Sequence, residues 1–266
     1  MYQTTYHRAS SIDEAAALFA KGTEAKYLAG GQTLLPVMKQ RLAAPSEVID
    51  LARIKDLVGV ELSGDTLTIK AATTYYDIMS NADVKKAIPA IAYLTSVIGD
   101  PAVRYRGTIG GSIANNDPAA DFPAALLALG ATVKTNKRSI TADDFFKGLF
   151  TTALQDGEII TAVAFPIPAK AAYAKMRHPA SRFALTGVFV VKTKAGDVRV
   201  AATGASQNGV MRVPEIEAAL KANWSAAALD GVKISSDGML ADIHGSAAYR
   251  ANLVKVMAQR AVTAAG

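Results

Sequence analysis

The 266-residue sequence contains no cysteine. That excludes disulfides, zinc thiolate sites, a cysteine nucleophile and any iron–sulfur cluster held by thiolates of this chain. Histidine is almost as scarce. His7, His178 and His244 lie far apart, without the short spacing of a metal-binding pair, so no metal site is expected. No run of about 18 apolar residues occurs, so no membrane span is expected. The opening MYQTTYHRASSIDEAA lacks the apolar core of a secretory signal, and with the missing cysteines this predicts a cytoplasmic protein. Blocks of like charge are missing too. The 29 basic and 23 acidic residues leave a net charge of +6 that is spread thinly. A nucleic-acid reader would carry a basic stripe interleaved with aromatics, so nucleic acid is not an expected partner. A modest positive field suits a polyanionic cofactor or an acidic partner surface. No catalytic triad or acid–base dyad stands out.

What is present alternates between strand and helix signals. Ser11 to Glu14 reads as a capping box, and Ile12, Ala15, Ala16 and Phe19 share the face of the helix it opens. Gly22 supplies its stop. A strand over 25–29 runs into Gly30-Gly31-Gln32-Thr33, a short helix over 34–41 carries Pro36 in its first turn, and a strand follows at 48–51. This is a βαβ-like unit. A hairpin over 58–71 turns at Ser63-Gly64-Asp65. Ile88, Ile91, Ala92, Leu94, Thr95 and Ile98 mark an amphipathic helix. A polar, glycine-rich stretch over 99–121 interrupts the pattern, before a helix over 122–129 and strands over 131–135 and 158–165. Pro166-Ile167-Pro168 reads as a linker. Strands over 171–177, 186–194 and 198–205 follow, and the remainder is helical, with Tyr249, Leu253, Val256 and Met257 on one face of the last helix. The expected organisation is α+β in three consecutive subdomains, 1–57, 58–166 and 167–266.

Two glycine segments carry the chemistry: Ala29-Gly30-Gly31-Gln32-Thr33 and Gly107-Thr108-Ile109-Gly110-Gly111-Ser112. Glycine lets a phosphate approach the backbone, and successive amides can converge on an anion as a nest. Two such segments, each flanked by hydroxyl residues, suit one pyrophosphate held from both sides. Neither is a P-loop or a Rossmann fingerprint, so the phosphate site must use another scaffold.

At these residues the sequence resembles a known family. YLAGGQTLLPVMKQRLAAPSEVIDL (27–51) and GDPAVRYRGTIGGSIANNDPAADFPAAL (99–126) resemble the two flavin segments of the FAD-binding medium subunit of molybdenum hydroxylases. DGEIITAVAFP (156–166) and DIHGSAAYRANL (242–253) look like later blocks of that family, which includes medium chains of carbon monoxide, xanthine and aldehyde dehydrogenases.

The resemblance implies a vanillyl-alcohol-oxidase-like, PCMH-type FAD-binding fold. Two α/β subdomains would enclose noncovalent FAD, and a C-terminal subdomain of antiparallel sheet and helices would close the ring side. It implies that Ala29, Gly30, Gly31, Gln32, Thr33 and Leu34 wrap the pyrophosphate, with Thr108, Ile109, Gly110, Gly111 and Ser112 opposite. Asp121, Ile160, Lys175 and Ile98 match further cofactor positions, and Phe183 falls where a relative has a tyrosine against the flavin ring. Plainer readings stand beside these. Asp121 also reads as a helix N-cap, Lys175 as a solvated edge lysine, and Ile98 and Phe183 as core residues.

The implied function is electron transfer from 2Fe-2S clusters of a small partner subunit, through FAD, to NAD or a quinone-type acceptor. The molybdenum cofactor would sit on a large partner subunit, in a heterotrimer or a dimer of heterotrimers. Two other readings remain: a nonenzymatic nucleotide-binding module, and a self-sufficient flavin reductase.

Overall fold

A computed structural model describes residues 1–266, with three sheets following one another along the chain. The first is wholly parallel, in the order β1 (Thr5–Arg8), β3 (Glu47–Asp50), β2 (Ala25–Leu28). Helix α1 (Ile12–Lys21) joins β1 to β2. The Ser11 hydroxyl caps it by accepting from the Glu14 amide at 3.1 Å, and the Glu14 carboxylate accepts from the Ser10 amide at 2.8 Å. Helix α2 (Leu34–Lys39) follows the first glycine segment. Ala15, Ala25, Ile49, Leu51 and Ile54 form the small core beneath this sheet. β1 adds a parallel strand that the sequence did not signal, because Thr5-Tyr6-His7-Arg8 has no buried alternation and forms only by pairing with β3.

The second sheet is antiparallel and built around its central strand. Its order is β4 (Val60–Ser63), β5 (Thr66–Lys70), β10 (Ile160–Pro166), β6 (Thr132–Thr135), β7 (Ser139–Thr141). Between β5 and β6 lie six short helices: α3 (Tyr75–Ser80), α4 (Ala82–Ala87), α5 (Pro89–Ser96), α6 (Pro101–Arg104), α7 (Ile109–Asn115) and α8 (Phe122–Leu129). The stretch over 99–121 therefore holds two helices where an irregular segment was expected. Their caps explain both: the Asp100 carboxylate accepts from the Val103 amide at 3.0 Å, and the Thr108 hydroxyl from the Gly111 amide at 3.1 Å. Every side chain of α8 is buried, because the helix lies between the second and third sheets. After β7 come α9 (Ala142–Phe145) and a two-stranded ribbon, β8 (Phe146–Gly148) and β9 (Thr151–Thr152).

The third sheet is antiparallel in sequential order: β11 (Lys170–Arg177), β12 (Ala184–Lys192), β13 (Val198–Ser206), β14 (Gly209–Arg212). Both faces are covered, which is why β12 is apolar nearly throughout. Tyr173, Phe189, Val191 and Ala201 join the core around α8. Val188, Val190, Val200 and Ala202 pack on the other face against α10 (Pro214–Ala222) and α11 (Ala247–Ala265).

The buried face of α11 matches the expected one only at Leu253 and Met257. Arg250, Ala251, Leu253, Val254, Met257, Ala258, Ala261 and Val262 are buried, whereas Tyr249 is exposed and Val256 only partly covered. Arg250 sets this rotation. Its Nη1 donates to the carbonyls of Leu185 (2.7 Å) and Gly204 (2.6 Å), and its Nη2 to Asp242 (2.7 Å). Small alanines then face the sheet at close range.

Candidate functional site

A cleft of about 890 Å³ opens where the first two sheets meet and runs to the edge of the third. This lies within the usual range for a site that takes a large organic ligand. Ala29 to Leu34, Ile98, Thr108, Gly110, Gly111, Ser112, Asp121, Ile160, Lys175 and Phe183 all line it. Ile109 does not. Its side chain is fully buried in the core beneath α7, on the side of the helix away from the cleft.

The two glycine segments differ in what their backbones offer. None of the amides from Ala29 to Leu34 donates a hydrogen bond within the chain, so this turn presents a run of unpaired N–H groups to the cleft. That is the electrostatic character of an anion nest. In the second segment every amide but that of Thr108 is already engaged. Ile109 donates to Thr73 (3.4 Å), Gly110 to Ala71 (2.8 Å) and Ser112 to Thr108 (3.0 Å), while Gly111 meets the Thr108 hydroxyl. The second segment therefore offers fewer free amides than a nest needs, because the segment after β5 supplies the acceptors for Ile109 and Gly110 and the cap of α7 the one for Gly111.

The glycines of both segments also make room for neighbouring protein atoms, Gly30 across the seam between the first two sheets and Gly107 and Gly110 within the second part of the chain. A Cβ on Gly30 would overlap the Arg106 carbonyl, one on Gly107 would lie 2.6 Å from the Tyr75 ring, and one on Gly110 2.7 Å from the Ala71 Cβ. Gly111 is looser, with Thr108 Oγ1 at 3.1 Å and the Ala29 Cβ at 3.4 Å from that position. Absent side chains thus let the Ala29–Thr33 turn lie directly against α7 and shape the cleft.

At the far end of the cleft, Asp121 and Lys175 form a buried ion pair. Lys175 Nζ lies 2.9 Å from Asp121 Oδ1, with only 2% and 4% of the two side chains exposed. Lys175 also reaches the Val97 carbonyl at 3.3 Å. Neither plainer reading holds: Asp121 makes no capping bond to α8, and Lys175 is not solvated although β11 is an edge strand. The Tyr173 hydroxyl donates to Asp121 Oδ1 at 2.5 Å. Burial pushes the Asp121 carboxyl up, opposed by the Lys175 charge and the Tyr173 donor. Tyr173 was not singled out from sequence, because a tyrosine in an apolar strand reads as core.

Two other features frame the cleft. Phe183 is half exposed at the mouth, on the turn joining β11 to β12, so it is not a core residue. On the same turn His178 Nδ1 accepts from the amides of Ala180 (3.2 Å) and Ser181 (3.1 Å), and its Nε2 lies 3.1 Å from His244 Nδ1. These histidines are 66 positions apart, which hid their pairing in the sequence. Near the first sheet, Glu158 lines the cleft and takes hydrogen bonds from Arg138 Nε (3.0 Å) and Nη2 (3.1 Å), Thr135 (2.7 Å) and the Gln155 amide (2.8 Å). The Arg138 bonds hold its carboxyl down at about 2.

Residues 2–168 match the family model described as FAD binding domain in molybdopterin dehydrogenase. The chain is 36% identical to the carbon monoxide dehydrogenase medium chain of Afipia carboxidovorans, over 97% of this chain and 94% of that one. It is 37% identical to the nicotine 6-hydroxylase medium subunit of Paenarthrobacter nicotinovorans, over 98% and 96% of the two chains. A crystal structure of the Cu,Mo-CO dehydrogenase superposes with a TM-score of 0.88 at 32% identity, covering 100% of this chain and 98% of that one. Quinoline 2-oxidoreductase from Pseudomonas putida 86 gives a TM-score of 0.87 at 28% identity, over 99% and 96%. These superpositions run through all three sheets and give the chain the PCMH-type FAD-binding fold.

Proposed function

The chain belongs to the family of FAD-binding medium subunits of molybdenum hydroxylases, and on that premise we propose that it relays electrons from 2Fe-2S clusters of a small partner subunit to NAD or a quinone-type acceptor. As a medium subunit it is part of an oxidoreductase whose molybdenum cofactor is carried by a large subunit. The observation that carries the relay reading is a cleft with an unpaired amide turn at one end and a buried cation at the other.

This donor set fits FAD. The Ala29–Leu34 amides would hold the pyrophosphate, with the Thr108 and Ser112 hydroxyls facing them across the cleft. Lys175 would place a fixed positive charge on the wall near the flavin ring, which favours the reduced, more negative form of a flavin. Ile98 and Ile160 would supply apolar wall. Phe183 would cover the ring at the mouth, through packing alone, since it has no hydroxyl. No histidine lines the cleft, which supports a noncovalent cofactor. Bound FAD supplies the exchange between single-electron donors and a two-electron acceptor. With no cysteine, this chain has no thiolates for a cluster, which supports electron entry from a partner.

Purification of the native chain with its partners tests the reading. The expected result is a yellow chain accompanied by one subunit containing iron and sulfide and another containing molybdenum. A single flavoprotein that oxidises NADH unaided would contradict it.

A further inference from the structure

Tyr173, Lys175 and Arg177 occupy alternate positions of β11 and so share one face of the strand. Lys175 lines the cleft, whereas Tyr173 is buried behind it against Phe189, with ring centroids 6.0 Å apart. The Tyr173 hydroxyl has one partner, Asp121 Oδ1 at 2.5 Å, and Lys175 meets the same carboxylate at 2.9 Å and 3.0 Å. Asp121 therefore receives two donors, one a cation that faces the cleft and one a neutral hydroxyl behind it.

Gly187 supplies an independent observation. It pairs with Lys175 across the sheet, in the middle of β12. Its φ lies outside the left-handed region, so the backbone there accepts any residue. A glycine inside a strand weakens it and needs a reason. Here a Cβ would overlap the Tyr173 hydroxyl oxygen and lie 2.8 Å from its Cζ. The sheet gives up a side chain where the hydroxyl passes.

We infer that Tyr173 is a positioning residue for Lys175, acting through Asp121, and that position 187 is glycine to admit the Tyr173 hydroxyl. The inference rests on the flavin reading of the cleft. A buried carboxylate stays ionised only while donors surround it. Other groups near this one are Arg177 on β11, whose charge also favours the ionised carboxylate, Tyr75 on α3, and Tyr93 on α5 toward Tyr173. Burial and the Asp121 charge hold the Tyr173 phenol far above its ordinary range, so it remains a neutral donor and does not titrate with the pair. Without its hydroxyl, Asp121 has one donor fewer, takes up a proton more readily and holds Lys175 less firmly.

The test uses the full-length chain and FAD as probe. Tyr173→Phe removes one oxygen and keeps the ring. It should weaken FAD binding by about tenfold, the effect of one hydrogen bond to a charged group. It should also move the acid limb of FAD binding to higher pH and lower the potential of the bound flavin. In a Lys175→Met background it should add nothing, because its effect passes through Lys175. Gly187→Ala should lower the Tm, and adding Tyr173→Phe should restore part of the loss. An unchanged pH profile and potential in Tyr173→Phe, or full additivity with Lys175→Met, would overturn the positioning role. No recovery of Tm in the Gly187→Ala, Tyr173→Phe double variant would overturn the steric claim. A parent chain that binds no FAD would instead refute the flavin reading beneath it, with the Tm comparison still deciding the claim about Gly187.

Discussion

Gly30 lies so close to Arg106 that any Cβ at position 30 would overlap the Arg106 carbonyl. The two residues belong to different parts of the fold, the turn after β2 and the turn before α7. Their contact brings the unpaired amides of 29–34 to face α7. Gly30→Ala should therefore force the two turns apart, destabilising the chain by about 1–3 kcal/mol, as overpacking does, and weakening FAD binding. Gly111→Ala should be mild, since only ordinary or slightly tight contacts await its Cβ. Gly111→Val should block the cleft wall and abolish flavin retention. Thermal melts and the flavin absorbance of purified variants check the series, and full flavin retention by Gly111→Val would count against the assignment of that wall.

Lys175→Met leaves the Asp121 carboxylate buried without its counter-ion. Breaking a buried pair on one side costs about 3–5 kcal/mol, which the carboxyl can relieve by taking up a proton. The variant should be less stable, should bind FAD more weakly and should show a lower flavin potential. Adding Asp121→Asn removes the orphaned charge and should recover part of the stability without restoring the potential. Denaturant unfolding and redox titration separate the two effects.

Glu158 makes stability depend on pH in a defined direction. Its folded pKa of about 2 lies below the ordinary 4.5, because Arg138, Gln155 and Thr135 donate to the ionised form. The stabilisation is complete above pH 4.5 and disappears as pH falls toward 2. Glu158→Gln should remove about 1–3 kcal/mol near neutral pH and flatten the acid limb of the stability curve over that window. An unchanged acid limb would contradict the account.

Much of this was legible in the sequence, for local reasons. The Ser11 cap, the turn at Ser63-Gly64-Asp65, and the apolar runs of β10, β12 and β13 each announce themselves within a few residues. So do the two glycine segments. What was hidden depends on distant partners. β1 exists because β3 pairs with it. The tie from His178 to His244 joins residues 66 positions apart, and the tie from Tyr173 to Asp121 residues 52 apart. Lys175 reads as a surface lysine until Asp121 and the end of α5 are placed beside β11. The glycines themselves were visible but their main use was not: Gly30, Gly107 and Gly110 make room for protein atoms, a property of the assembled fold. The buried face of α11 was legible at Leu253 and Met257 but not as a whole, because an arginine, Arg250, points inward, where hydropathy places only apolar residues.

The decisive experiment is an FAD titration of the purified, flavin-stripped chain, followed by flavin fluorescence and then by acid precipitation. The account predicts saturable binding of one FAD per chain, full release of the flavin into the supernatant, and loss of binding when Gly111 is replaced by valine. A chain that binds no FAD, or one that keeps its flavin after precipitation, would contradict it.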